Sequence, residues 1–255
     1  DVERSRGLGD VYKRQARTQS IAEAKSATSF LKDAFADYLA ARVLLNNQLP
    51  HQGAMMASTA LEKYFKAILA TRGQRIHGHL QTAHWNAVGH LHPTLVERLD
   101  REFVKLCQKS YSLRYTDDLP NGYNLVIASR EFLAELDVSV ALIEKSLRMQ
   151  QDGKEIPSNW ELRNAAGDQR LLENNHVLLA TGKFEFIYSD AQFVFEVRND
   201  ARMGVMQFTY EAFGPPKTAG FLRPACLVSF AGGGASFELA FGRKSEAETS
   251  MPWNP

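Results

Sequence analysis

The chain has only two cysteines in 255 residues, Cys107 and Cys226, one in each half and neither in a CxxC pair. That excludes a disulfide scaffold and makes a reducing cytoplasm the expected compartment. No apolar run approaches the about 20 residues that a membrane-spanning helix needs, so no membrane partner is expected. An excess of charge of either sign is lacking too: 30 Lys and Arg against 29 Asp and Glu leave a formal net charge of +1. Bulk charge therefore selects neither for nor against nucleic acid, and any basic surface must be local. Internal repeats and low-complexity blocks are absent. Gly232-Gly233-Gly234 lacks the following Lys-Ser/Thr and helix of a phosphate loop, which leaves it as a turn between strands.

What the chain does have is a hydrophobic content of 44%, enough for a packed core in one large domain or two ordinary ones. Asp10-Val11-Tyr12-Lys13-Arg14-Gln15 back-translates to the end of a transposon-type sequencing adapter, and Ser5 to Gly9 continue the likeness. Residues 1–15 are therefore read as adapter-derived or as a disordered tail, and the basic residues there carry no argument. From residue 16 the periodicity is helical. Leu31, Phe35, Tyr38, Leu39, Val43 and Leu45 mark one helix ending before Pro50. Ala54, Ala57, Leu61, Phe65, Ile68 and Leu69 mark a second, over about 52–72, with Gly73 as its C-cap. Leu95, Leu99, Phe103, Leu106 and Leu113 predict a third. Leu125, Phe132, Leu136, Val140, Ile143 and Leu147 predict a fourth, over 123–149, after the break at Pro120-Asn121-Gly122.

The period then changes. Residues 151–160 are polar with Gly and Pro and read as a linker. Beyond it, Phe184, Phe186 and Tyr188; Phe193, Phe195 and Val197; Met206, Phe208 and Tyr210; and Phe237, Leu239 and Phe241 alternate as strands do. The expected fold is thus α+β in two domains. An antiparallel four-helix bundle over 16–150 precedes a small antiparallel β-sandwich or open barrel over 161–243, with a polar tail at 244–255.

The second helix carries a family resemblance. Ala60-Leu61-Glu62-Lys63-Tyr64-Phe65-Lys66-Ala67-Ile68-Leu69, followed by Gly73, resembles the central helix of HEPN domains. Asp37 to Leu45 is similar to the family's preceding helix, and Leu113-Arg114-Tyr115-Thr116-Asp117 to the Arg-Tyr-x-Asp segment before its last helix. The resemblance covers residues 25–149 and says nothing of the β-rich part. It implies a homodimer with the arginine segments of both subunits at a shared groove. It also implies a nucleic-acid or nucleotide ligand in a prokaryotic stress, defence or toxin–antitoxin-type system, where a nucleotidyltransferase is the expected partner.

On that basis Arg114, Tyr115, Asp117, Lys63 and Lys66 are the expected anion-binding residues, with Asp117 orienting the arginine. Read without the family, Glu62 and Lys66 are an i,i+4 pair and Arg114 complements a helix C-terminus. The family's ribonuclease branch places a histidine shortly after the arginine, to move protons as the 2′-hydroxyl attacks while the arginine holds the phosphate. Here no histidine follows Arg114 until His176. The expectation is therefore binding without cleavage, with no catalytic residue, cofactor or metal. Two alternatives stand beside it. One is a metal-independent ribonuclease drawing its proton-transfer group from His77, His79, His84, His90 or His92, and the other is a pure interaction module. His79-Leu80 lies where the family carries His-x-Leu, but the intervening residue is missing and no role is transferred.

Overall fold

The computed structural model describes the backbone of residues 2–151, 154–212, 225–229 and 236–240, and the side chains of 21–150 and 154–212. Helix α1, Val2–Asn46, has a helical backbone through the segment read as adapter-derived. It turns sharply into α2, Pro50–Ala70. Pro50 suits this start because its missing N–H falls among donors that a helix start leaves free anyway. Close approach of the two helices depends on Gly53, where a Cβ would come within 2.7 Å of Leu45 Cγ. Gly73 ends the second helix as expected, at φ 66°, with Gln74 N–H reaching back to Leu69 O at 3.0 Å.

After α2 the chain forms α3 (Thr82–Leu91), α4 (Pro93–Val96) and α5 (Arg101–Ser110). Asp100 caps α5 by accepting from Glu102 N–H and Phe103 N–H at 2.8 and 3.1 Å. The single third helix of the sequence reading is thus broken at 97–100. Even so, Leu95, Leu99, Phe103, Leu106 and Leu113 are all buried as its pattern required. Two 3₁₀ turns, Tyr111–Arg114 and Thr116–Asp118, lead to β1, Asn124–Ala128, and directly into α6, Ser129–Ser146.

The start of the fourth predicted helix is therefore a strand. Leu125, Val126, Ile127 and Ala128 are buried in succession, which one stripe of a helix cannot achieve. Leu125 and Ile127 face the main core, whereas Val126 and Ala128 join Val194 in a second small cluster on the opposite face. Leu125, Phe132, Leu136, Val140 and Ile143 are nevertheless buried as read; Leu147 is half-buried.

Residues 149–151 and 154–156 pair as β2 (Met149–Gln151) and β3 (Lys154–Ile156). Helices α7 (Asn159–Ala165), α8 (Gln169–Leu172) and α9 (Lys183–Tyr188) follow. The stretch expected as a linker thus holds a strand and the start of a helix, and Trp160 is buried against Tyr38 at 5.7 Å between rings. Residues 184–188, expected as a strand, are helical. Phe184 and Tyr188 sit one turn apart and stack at 6.2 Å, while Phe186 and Ile187 enter the core. The alternation of aromatics arose from two residues on the solvent side and one on the core side of a short helix.

Strands β4 (Gln192–Asp200) and β5 (Gly204–Ala212) were expected as such. They complete an antiparallel sheet of order β1-β4-β5, with Ile127 opposite Phe195 and Phe195 opposite Thr209. Strands β6 (Ala225–Ser229) and β7 (Ser236–Ala240) pair separately. The glycine run, the Gly214-Pro215-Pro216 loop and the polar tail lie outside the described residues. The helical N-terminal region is thus followed by a small antiparallel sheet, one strand of which, β1, comes from before residue 150. Phe195 and Val197 belong to the same core cluster as Leu61, Phe65 and Phe132.

One polar network lies inside this core. Arg42 is fully buried; its Nη1 contacts Asp137 Oδ1, its Nε donates to Arg170 O at 2.9 Å, and its Nη2 donates to Glu173 O. Tyr38 Oη donates to the same Asp137 oxygen at 2.7 Å. Burial opposes the charge on Arg42, but Asp137 more than offsets it and holds the guanidinium above its ordinary value. Tyr64 donates to Glu144 at 2.6 Å, a second buried link between α2 and α6.

Two outcomes follow. Arg42→Met strands the Asp137 carboxylate in the core and should lower unfolding stability by about 3–5 kcal/mol. The paired change Arg42→Met with Asp137→Leu should recover much of that loss in urea titrations; a single-variant loss below about 1 kcal/mol would show that the pair is not structural. His84 gives a pH dependence. It is fully buried, and burial, then the charge of Lys66, pushes its imidazole below the usual value, with Glu62 and the Ile76 backbone opposing. Unfolded histidine takes up its proton near pH ~6.5, before the folded one does, so the unfolded state binds more protons as pH falls through that value. Urea midpoints should therefore fall from pH 7.5 to pH 5.5, and fall less in a His84→Leu variant.

Candidate anion-binding site

The 3₁₀ turn that carries Arg114 is held from several sides. His51, on α2, donates from Nε2 to Leu113 O at 3.1 Å and stacks on Phe195 of β4 with ring centroids 4.9 Å apart. Tyr123 Oη donates to Lys109 O at 2.9 Å and lies 3.0 Å from Ser112 Oγ. Asn199, near the end of β4, donates from Nδ2 to Leu119 O at 2.5 Å and accepts from Gly122 N–H at 2.8 Å. Helix α2 and the sheet together therefore fix where residues 111–119 run.

Arg114 is exposed. Its guanidinium lies over the Tyr111 ring, 4.5 Å from the centroid, and Nη1 donates to Tyr111 Oη at 3.2 Å. Tyr111 Oη is in turn 2.7 Å from His79 Nε2, and the two rings stack with centroids 3.9 Å apart. Because Tyr111 Oη already accepts from Arg114, its own proton is free to go to Nε2. That places the imidazole proton on Nδ1, which faces Glu62 Oε2 at 3.5 Å. Glu62 also pairs with Lys66 at 2.6 Å, and Lys66 Nζ donates to Gly78 O at 2.8 Å, tying the 74–81 loop to α2. A chain of contacts thus runs Lys66–Glu62–His79–Tyr111–Arg114, from half-buried on the helix to exposed at the turn.

Of the residues expected from the sequence, Arg114 and Lys66 belong to this chain. Lys63 does not: it turns to Asp37 on α1 at 2.7 Å. Lys63 finds its carboxylate on α1, whereas Lys66 finds Glu62 one turn back on its own helix. Tyr115 is 65% exposed beside Arg114 and offers a free ring. Asp117 is exposed, and among the described residues no ion pair joins it to Arg114, whose orientation comes from Tyr111 instead. Tyr111 was missed because its spacing only marks it as the residue after α5. By sequence His79 is only one of five loop histidines that could move protons in the alternative ribonuclease, with nothing to single it out.

The 77–92 histidines do not converge. His84 lies on the buried face of α3, His79 stands on Tyr111, and His92 precedes α4. Among the described residues no group of three or more His, Cys, Asp or Glu side chains is placed to hold a metal ion. Nor, among them, is any helix long and apolar enough to cross a membrane.

Chemically, the exposed end of this chain offers one permanent cation, the Arg114 guanidinium, held beside the rings of Tyr111 and His79. A planar guanidinium with a free edge suits phosphate oxygens, and flanking rings suit bases. No curated protein and no solved structure matches the chain. The HEPN domain family model matches residues 27–144, from within α1 to the last turn of α6. The HEPN match thus takes in most of the helical N-terminal region, with the Arg114 turn inside it.

Proposed function

We propose that this protein binds RNA or a nucleotide through the Arg114–Tyr111–His79 surface of its HEPN domain. The observation that carries the reading is that one hydroxyl, Tyr111 Oη, contacts both the Arg114 guanidinium and the His79 imidazole on an exposed face. Arg114 supplies charge to a phosphate, His79 holds the Tyr111 hydroxyl on which Arg114 rests, and Tyr115 supplies a ring for an unstacked base. Lys66 contributes to the local positive field while Glu62 keeps His79 in place. At family level the HEPN domain suggests nucleotide-related or ribonuclease-type function. Our reading puts binding first, in a prokaryotic stress, defence or toxin–antitoxin-type setting. The protein acts there as a homodimer with the two Arg114 turns at one groove and a nucleotidyltransferase as its partner.

The Tyr111–His79 contact also favours a second reading, in which His79 moves protons for a metal-independent ribonuclease. The chain carries no histidine just after Arg114, but folding brings one to it from the loop after α2. In that role Nε2, once substrate displaces the Tyr111 hydroxyl from it, would take the 2′-hydroxyl proton as that oxygen attacks phosphorus, and the protonated ring would return a proton to the leaving 5′-oxygen.

Titrating a fluorescent single-stranded RNA with the full-length protein tests the first reading. Arg114→Ala should weaken binding about ten-fold, as loss of one charge-assisted contact does, and the difference should shrink as salt rises. Unchanged affinity in that variant would sink it. For the second reading, purified protein is incubated with structured and single-stranded RNA, with and without chelator. We expect little cleavage. Robust chelator-resistant cleavage that is lost in both Arg114→Ala and His79→Ala would reverse the order of the two readings.

A further inference from the structure

A separate cleft opens on another part of the surface, where the end of α1, the first turn of α6 and the segments before and after α9 meet. Its volume is about 170 Å³, and Arg130, Gln48, Asn174, Asp190 and Glu211 line it with the Phe186 ring. This is close to the ~150 Å³ at which an engineered cavity takes up benzene, and well below the ~300 Å³ at which drug-sized pockets begin. A nucleotide is too large for it. A molecule of amino-acid size is not.

Arg130 is the unusual group. It is half-buried, its Nε and Nη2 donate to Phe186 O at 3.1 and 2.7 Å, and Nη2 also donates to Ser189 Oγ at 2.8 Å. The guanidinium lies 4.3 Å from the Phe186 ring centroid. These contacts fix its plane and, among the described residues, leave Nη1 without a partner. Among the described residues no carboxylate forms an ion pair with it, and burial pushes it below its ordinary value, with Asp190 only partly opposing. It also stands in the first turn of the 18-residue α6, where the helix dipole disfavours a cation and favours an anion.

The mouth has the opposite charge. Asp190 and Glu211 are both exposed there. Gln48 is exposed as well, and among the described residues its side-chain amide has no partner. A simple anion would meet two carboxylates on entry, and a simple cation would meet a guanidinium inside. The arrangement suits a molecule carrying both charges, anion inward and cation outward.

We propose that this cleft binds a small zwitterion of the α-amino-acid type. Its carboxylate accepts from Arg130 Nη1, and its ammonium donates to Asp190 and Glu211. The site is independent of the Arg114 surface and of any reading of it.

The test is a thermal-shift and calorimetric screen of the full-length protein against the common amino acids at pH 7. Acetate and ethylamine serve as the two separated charges. One or a few small amino acids should raise the melting temperature in a concentration-dependent way, while acetate and ethylamine at equal concentration should not. Asp190→Asn keeps an oxygen that can accept from Ala191 N–H, as Asp190 Oδ1 does at 2.8 Å, so its unliganded melting temperature should stay put. Its affinity should fall at least ten-fold. Arg130→Met should abolish binding; if it fails to fold, the Asp190→Asn and Glu211→Gln variants carry the test alone. The proposal is overturned if no amino acid binds at millimolar concentration, if acetate binds equally well, or if the carboxylate variants bind as the parent does.

Discussion

Arg42 carries a full charge into a place without water, and acceptors from distant parts of the chain converge on it: Asp137 of α6, then the Arg170 and Glu173 carbonyls around α8. Such a charge is tolerated only when its donors are used, so the position of α1 is set by what the later segments offer. Tyr38, one turn earlier, shares the same Asp137 oxygen and stacks on Trp160, which extends the constraint to α7. The network therefore ties the helical N-terminal region to the part of the chain beyond residue 150. Apolar burial supplies the bulk of the driving force, while this network chooses one arrangement of elements among those that apolar packing would accept.

The same coupling reaches the Arg114 surface. Leu113 is buried and fixes one side of the 3₁₀ turn, but its carbonyl is held by His51, and His51 is stacked on Phe195 of β4. Asn199, which faces Val205 of β5 one pair before the end of the β4–β5 register, anchors the segment after the turn. The exposed arginine thus stands on a rigid base built from α2 and the sheet. The sheet has a definite part in shaping a HEPN surface that family resemblance alone would assign entirely to the helices.

Much of the core was legible because burial follows periodicity. Leu61, Phe65, Ile68, Phe103, Phe132, Leu136, Val140 and Ile143 are all buried where the pattern put them, including places where the element was not as expected. Element type was harder to read. Leu125 to Ala128 read as the start of a helix because α6 follows without a break, and only the partner strand β4 makes the extended form worthwhile. Phe184 to Tyr188 erred in the other direction: three alternating aromatics look like a strand, yet six residues with no neighbouring strand close into a helical turn. Such short segments take their conformation from what they pack against.

For the site, the sequence by itself determined the helical region, its resemblance to HEPN domains and the candidacy of Arg114 and Lys66, because these rest on local spacing and residue type. It could not pair Arg114 with Tyr111 rather than Asp117, send Lys63 to Asp37, or bring His79 to the arginine's neighbour. Those relations join residues on separate elements, and their distances depend on how the helices and the 74–81 loop are placed in space. The tertiary structure alone decided them, since a hydrogen bond of a few ångströms can be made or lost by a rotation of one element that leaves every local pattern in the sequence unchanged.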